Sequence, residues 1–196
     1  NFMPETLGQR MHTEIPFNLK IKFSCQLLSA VAFLQSQQIV HRDIKPNNIF
    51  ISNDNAVLGD FGLIKKIDFE NDIATNDDID LVNSTVLTNL NGYVAMARYY
   101  RTPELVNYAN RTAPLYLESD VFQLGLVLTE LFTGKNPLRP VEDLHAPIML
   151  DDIGYIPAPH HGRLIHDTLA QMLQIDHQTR IRIDLAIDRF TGIYSA

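Results

Sequence analysis

The segment from Ser119 to Phe132 constrains this chain most. Val121, Phe122, Leu124, Leu126, Val127, Leu128 and Leu131 put apolar side chains on almost every side of a helix. Ser119 and Asp120 suit its first turn and Gly134 its end. A helix with no polar face has to be buried, so the rest of the chain must wrap it. With 196 residues, 45% of them apolar, there is material for one such core and one domain or a little more.

The wrapping elements read as mainly helical. Asn18 to Gln37 has Leu27, Leu28, Val31 and Leu34 at helical spacing, with Pro16 just before its start. Ile49–Ile51 and Ala56–Leu58 are short apolar runs separated by Ser52-Asn53-Asp54-Asn55, the signature of a small β-hairpin. Five of the ten prolines fall between Pro137 and Pro159, which predicts irregular chain with at most short helices. Arg163–Leu173 reads as a third helix and Arg182–Phe190 as a fourth.

Charge and composition narrow the function. The net charge of −7 argues against nucleic acid or an anionic membrane surface as partner. No uninterrupted apolar run reaches the ~18 residues of a membrane span. The one cysteine, Cys25, cannot form an internal disulfide; it reads as a small core residue in a reducing, cytoplasmic compartment. His145, His160, His161, His166 and His177 form no metal-ligand pattern. From Ile67 to Ala97 there is no Lys, Arg or His, but there are six carboxylates, Asp68, Glu70, Asp72, Asp77, Asp78 and Asp80. That stretch reads as a long acidic surface loop. An opening Asn1 rather than Met points to a longer parent chain.

The chemistry-bearing residues flank the hairpin. His41-Arg42-Asp43 precedes its first strand, with Lys45 and Asn48 just after; Asp60-Phe61-Gly62 follows its second strand. A tight hairpin brings its two ends together. Two carboxylates, an amide and an ammonium in one place suit phosphoryl transfer. The reaction needs a group to accept the attacking hydroxyl's proton, hard oxygen ligands for Mg²⁺, and a cation near the transferring phosphoryl oxygens.

These motifs resemble the eukaryotic-type protein kinase family. His41-Arg42-Asp43-Ile44-Lys45-Pro46-Asn47-Asn48 is similar to its catalytic loop, and Asp60-Phe61-Gly62, 17 residues beyond Asp43, to its metal-binding motif. Thr102-Pro103-Glu104 is similar to the triplet that closes the activation segment. Asp120 to Gly125 resembles the Asp-x-x-x-x-Gly of the buried central helix, and Arg180 stands where the family pairs an Arg with the Glu, here Glu104. Arg98-Tyr99-Tyr100-Arg101 resembles the run found in the proline-directed group. The similarity covers roughly Phe2 to Phe190.

The resemblance implies a protein-kinase-like C-terminal lobe over 1–196: a helical bundle with a small β-hairpin, an acidic activation-segment loop over 63–97, and ATP and Mg²⁺ as cofactors. Asp43 would be the catalytic base, Lys45 would neutralise the γ-phosphate as in Ser/Thr kinases, and Asn48 with Asp60 would hold Mg²⁺. His41 and Phe61 would stack in the column linking the two lobes, with Gly62 completing the motif. Arg42 with Lys65 would receive an activation-loop phosphate, for which Thr75, Ser84, Thr85 and Thr88 are candidate sites. Asp120 would tie the central helix to the catalytic-loop backbone, while Arg101, Glu104 and Arg180 would be structural.

Four departures accompany these matches. A Gly-rich phosphate loop, a β3 lysine and an αC glutamate have no counterpart here, so the chain is expected to begin just after the hinge and to need the N-terminal lobe of its parent. Position 97 is alanine where the family has a Thr that bonds the catalytic Asp and Lys; position 102 is Thr where it has Ala. Asp60 and Glu104 lie 44 residues apart, long for an activation segment. The expectation is a Ser/Thr protein kinase acting on a protein substrate. A pseudokinase or docking module is the alternative, and a small-molecule phosphotransferase fits less well, because Thr102-Pro103-Glu104 and Arg180 shape a groove for a peptide.

Overall fold

The computed structural model describes residues 5–67, 99–158 and 160–195. Among them are six helices: α1 (Leu7–Arg10), α2 (Phe17–Ser36), α3 (Pro103–Ala109), α4 (Glu118–Thr133), α5 (Gly162–Met172) and α6 (Ile183–Tyr194). The strands are short: β1 (Glu5–Thr6), β2 (Ile39–Val40), β3 (Ile49–Ser52), β4 (Asn55–Leu58) and β5 (Lys65–Lys66). The fold is mainly α.

Helix α4 lies at the centre. All of its residues except Glu118, Glu130 and Thr133 are buried. Gly134 ends it in the left-handed conformation (φ 76°), where a residue with a Cβ would be strained, and its N–H returns to the Glu130 carbonyl at 2.8 Å. Fully burying one Leu of this helix stabilises the fold by about 1.5–3 kcal/mol. Two of its buried polar residues, Asp120 and Gln123, sit three apart and bond the segment before β3.

Helix α2 starts at Phe17, one residue earlier than the periodicity suggests, directly after Pro16. By length and composition it could cross a membrane, although no single apolar run in it is that long. In this fold it packs against α6, β4 and α4 and buries Ile21, Phe23, Leu27, Leu28 and Val31 in the core.

The hairpin is antiparallel, pairing Ile49 with Leu58, Phe50 with Val57, Ile51 with Ala56 and Ser52 with Asn55. Ile49, Ile51, Ala56 and Leu58 face the core, as the period-2 rule requires. Only Asn53 and Asp54 form the turn, at φ 48° and 56°. Two positive φ values give the turn twist that matches the strands, so each strand gains a residue over the sequence reading. Gln26 of α2 fixes the hairpin from below: its Nε2 donates to Asn55 Oδ1 at 2.8 Å and its Oε1 accepts from Ala56 N at 2.9 Å.

The remaining differences are local. β1 adds to the edge of β3, and β2 pairs with β5; two-residue strands carry no period to read. The span expected as loop from 63 thus opens with a 3-10 turn (Phe61–Leu63) and then β5; beyond Ile67 that span lies outside the described residues. Helix α3, at seven residues, is too short to show a helical period in the sequence, although Thr102, Pro103 and Glu104 carry an N-cap, an N1 proline and a first-turn acid. Residues 137–158 contain no helix and one isolated bridge, Leu138–Leu150. Helix α5 begins at Gly162, and α6 runs on to Tyr194 because Ile193 continues the buried face of Phe190.

Candidate active site

The site grows from the loop between β2 and β3. Asp120 reaches into it from α4: its Oδ2 accepts from His41 N at 2.6 Å and its Oδ1 from Arg42 N at 3.1 Å. Burial raises the Asp120 carboxyl to about 7 even though the two backbone donors and the charge of Arg42 act to lower it. Arg42 is a non-glycine residue at φ 70°, a conformation that costs about 1–2 kcal/mol unless neighbours hold it. Its Nε donates to the Leu63 carbonyl.

Asp43 follows, 8% exposed. Its Oδ2 accepts from Lys45 Nζ at 2.9 Å and from Asn48 Nδ2 at 2.7 Å. Asn48 Nδ2 also donates to the Asp43 carbonyl at 2.9 Å. Both amide hydrogens of Asn48 are therefore directed at Asp43, which turns its Oδ1 away and leaves it available to another ligand. A 3-10 turn over Pro46–Asn48 makes this return possible, with Asn48 N donating to Lys45 O at 2.9 Å.

The hairpin delivers Asp60 to the same place. The ladder ends with Gly59 N donating to Asn48 O at 2.9 Å, so Asp60 comes one residue after the position facing Asn48. A Cβ on Gly59 would lie 2.5 Å from Phe50 Cε2, so only glycine lets that ring cover the strand end. Asp60 turns the chain at φ 58° and is exposed. One of its oxygens accepts a long bond from Gly62 N, 3.4 Å. One amide oxygen and one little-engaged carboxylate suit a hard cation that keeps waters and binds phosphate oxygens. Among the described residues, no group of three or more His, Cys, Asp and Glu could hold a metal by itself.

His41 ties the two halves together. It is fully buried, its ring 5.2 Å from that of Phe61, which is itself half exposed. Its Nε2 donates to the Gly59 carbonyl at 3.0 Å and its Nδ1 accepts from Asp43 N at 3.4 Å. One donor and one acceptor describe a neutral imidazole. Burial holds it below its ordinary value, against the Gly59 carbonyl and the charges of Asp43 and Asp60. In acid the unfolded chain therefore takes up a proton that the folded chain refuses. This contribution to stability is complete above about pH 6.5 and is lost as pH falls through the folded-state value. Urea midpoints at pH 7.5 and 5.5 are expected to drop further for the wild type than for His41→Tyr; equal drops would contradict the assignment.

Outside the hairpin, Arg101 Nη1 donates to the Leu144 and Ala146 carbonyls at 2.6 and 3.0 Å, and its buried Nε and Nη2 have no hydrogen-bond partner among the described residues. Arg180 Nη2 donates to Glu104 Oε1 at 2.7 Å, with both side chains buried. Thr102 Oγ1 caps α3 by accepting from Leu105 N at 3.0 Å, and it shares a hydrogen bond with Ser119 at 2.8 Å.

A cleft of about 820 Å³ runs past this loop. Pro46, Asn47, Tyr100 and Glu130 line one part, and Gln9, His12 and Glu14 another.

The model of the protein kinase domain matches residues 5–189. The chain belongs to the protein kinase family. Its similarity extends to serine/threonine kinases. A putative serine/threonine-protein kinase/receptor of Acanthamoeba polyphaga mimivirus is 32% identical over 69% of this chain and 7% of the viral protein. A mitogen-activated protein kinase kinase kinase of Pyricularia oryzae is 29% identical over 87% of this chain and 18% of the fungal one. The mitogen-activated protein kinase KSS1 of Saccharomyces cerevisiae is 33% identical over 65% and 31%. The kinase chain spans less than a third of the length of each of these relatives.

The kinase fold brings His41, Arg42, Asp43, Lys45, Asn48, Asp60, Phe61 and Gly62 into one cluster, with Asp120 beneath it. Glu104 and Arg180 form a separate pair, and Arg101 lies on the 144–146 loop. Lys65 Nζ reaches the Tyr108 hydroxyl and lies 4.8 Å from that ring's centroid. Ala97, Arg98 and the hydroxyls of Thr75, Ser84, Thr85 and Thr88 lie outside the described residues. Sequence reasoning missed Gln123, whose buried amide bonds the backbone of the loop between β2 and β3.

Proposed function

We propose that this chain forms the C-terminal lobe of a Ser/Thr protein kinase catalytic domain, transferring the γ-phosphate of Mg·ATP to a Ser or Thr hydroxyl of a protein. The observation that carries this reading is the convergence of Asp43, Lys45, Asn48 and Asp60 at the two ends of one hairpin. Asp43 Oδ1, the oxygen not committed to Lys45 and Asn48, accepts the proton of the substrate hydroxyl. Lys45 holds Asp43 in place and supplies positive charge to the phosphoryl oxygens. Asn48 Oδ1 and the Asp60 carboxylate would hold Mg²⁺, which when bound neutralises phosphate charge. The cleft lined by Pro46 and Asn47 would hold an extended protein segment beside the loop that carries Asp43.

Exposed apolar residues at this end, Val57, Phe61 and Ile64, fit a reading in which a further lobe, with the phosphate loop and lysine that this sequence lacks, covers the nucleotide. We place the activity in the cytoplasm, where Mg·ATP and an unpaired Cys25 coexist. The 67–97 segment would take the phosphate that regulates the site, with Arg42 and Lys65 as its receivers.

The test is transfer of labelled γ-phosphate by the full-length protein to itself and to a generic basic protein, with and without a chelator of Mg²⁺. Transfer that the chelator abolishes is the expected result. Binding of Mg·ATP without transfer would overturn the reading in favour of a docking module.

A further inference from the structure

We propose that Gln123 is a positioning residue for Asp43, setting its direction through the peptide groups on either side of it. Gln123 is 2% exposed, in the middle of the apolar helix α4. Its Oε1 accepts from Ile44 N at 2.9 Å, and its Nε2 donates to Arg42 O at 3.1 Å. Arg42 O belongs to the peptide bond entering Asp43, and Ile44 N to the one leaving it. One side-chain amide therefore grips both peptide planes that flank the Asp43 Cα, and those planes fix where its carboxylate points. The same Nε2 donates to Tyr100 O at 2.8 Å, joining the loop to the strand of chain that leads into Thr102.

Two features give this clamp consequence. Arg42 stands at φ 70°, so the backbone just before Asp43 has to be held in an unfavourable conformation. Asp120 holds the N–H of Arg42 and Gln123 holds its carbonyl, so neither residue does the work alone. Removing the amide would also leave three buried backbone groups short of a partner, each free to turn toward a new one. The expected result is a misdirected Asp43 in a folded protein. An error of about an ångström in a reacting group is enough to cost two orders of magnitude in rate.

The inference rests on the kinase reading for its rate effect, but not for its structural effect. Gln123→Met keeps the length and burial of the side chain and deletes its hydrogen bonds. In the full-length protein this variant is expected to lose about 10- to 100-fold in kcat, with the KM for ATP changed less than two-fold. The Ile44 amide should exchange with solvent at least ten-fold faster, while the amides of α4 keep their wild-type rates. Thr129→Val is the matched control, because Thr129 is equally buried on α4 and, among the described residues, its hydroxyl bonds only the Gly125 carbonyl, at 2.8 Å. It should leave both kcat and Ile44 exchange unchanged. An Ile44 amide no faster in Gln123→Met overturns the inference whether or not the protein transfers phosphate. So does a kcat loss that Thr129→Val reproduces. A wild-type protein with no transfer sinks the kinase reading instead, and Ile44 exchange still decides the role of Gln123.

Discussion

Asp43→Asn is expected to lower kcat for phosphate transfer by about 10²- to 10⁴-fold, the span that loss of a positioned proton acceptor produces. The substitution keeps the shape of the side chain, and its amide oxygen can still accept from Lys45 or Asn48, so the fold should survive. What disappears is the basicity of Oδ1, the oxygen that Lys45 and Asn48 do not bond. Asp60→Asn should act differently. It weakens the carboxylate half of the Asn48–Asp60 pair, so the Mg²⁺ concentration for half-maximal rate should rise, whereas Asp43→Asn should leave that concentration unchanged. Initial rates over a Mg²⁺ series in the full-length protein separate the two. If both variants shift the Mg²⁺ requirement equally, the division of labour between Asp43 and Asp60 is wrong.

Arg180→Leu is expected to cost about 3–5 kcal/mol of stability, because it leaves the Glu104 carboxylate buried and uncompensated. The loss is not confined to that pair. Arg180 also donates to the Gln174 carbonyl at 2.8 and 3.0 Å and to the Glu118 carbonyl at 2.6 Å, and its guanidinium lies 5.0 Å from the centre of the Phe122 ring. It thus holds the start of α4 to the chain after α5. Adding Glu104→Leu to Arg180→Leu should recover much of the stability by removing the stranded charge, but not all, since the carbonyls remain unpaired. Urea midpoints of the two variants check this. A double variant as unstable as Arg180→Leu would show that the carbonyls, not the charge, carry the cost.

The sequence made the centre of the fold legible because burial leaves a dense local trace. Val121 to Leu131 could be nothing but an inside helix, and Ile49–Ile51 with Ala56–Leu58 could pair only as a hairpin. The order of Asp43, Asn48 and Asp60 around that hairpin likewise announced the site. Gln123 left no such trace. Its partners Ile44, Arg42 and Tyr100 lie 79, 81 and 23 residues away, and a lone Gln in an apolar helix looks the same whether it bonds a loop or the helix itself. The two-residue strands β1, β2 and β5 were equally silent, since their existence depends on the partner strand rather than on their own residues. Arg180 was legible as the partner of Glu104; its three carbonyl bonds to Gln174 and Glu118 were not.

The hairpin also works as a gauge. The spacing of the two carboxylate-bearing ends is set by the register in which Ile49 faces Leu58, and a shift of one residue would turn Ile49 and Ile51 outward and carry Asp60 to the opposite face. The turn at Asn53-Asp54, by contrast, projects away from the core and touches none of the residues described in the site. Changes of length should therefore be absorbed at the tip and refused along the rails, so that a chain of this kind can vary its outline there while the distance between its two reactive ends stays the same.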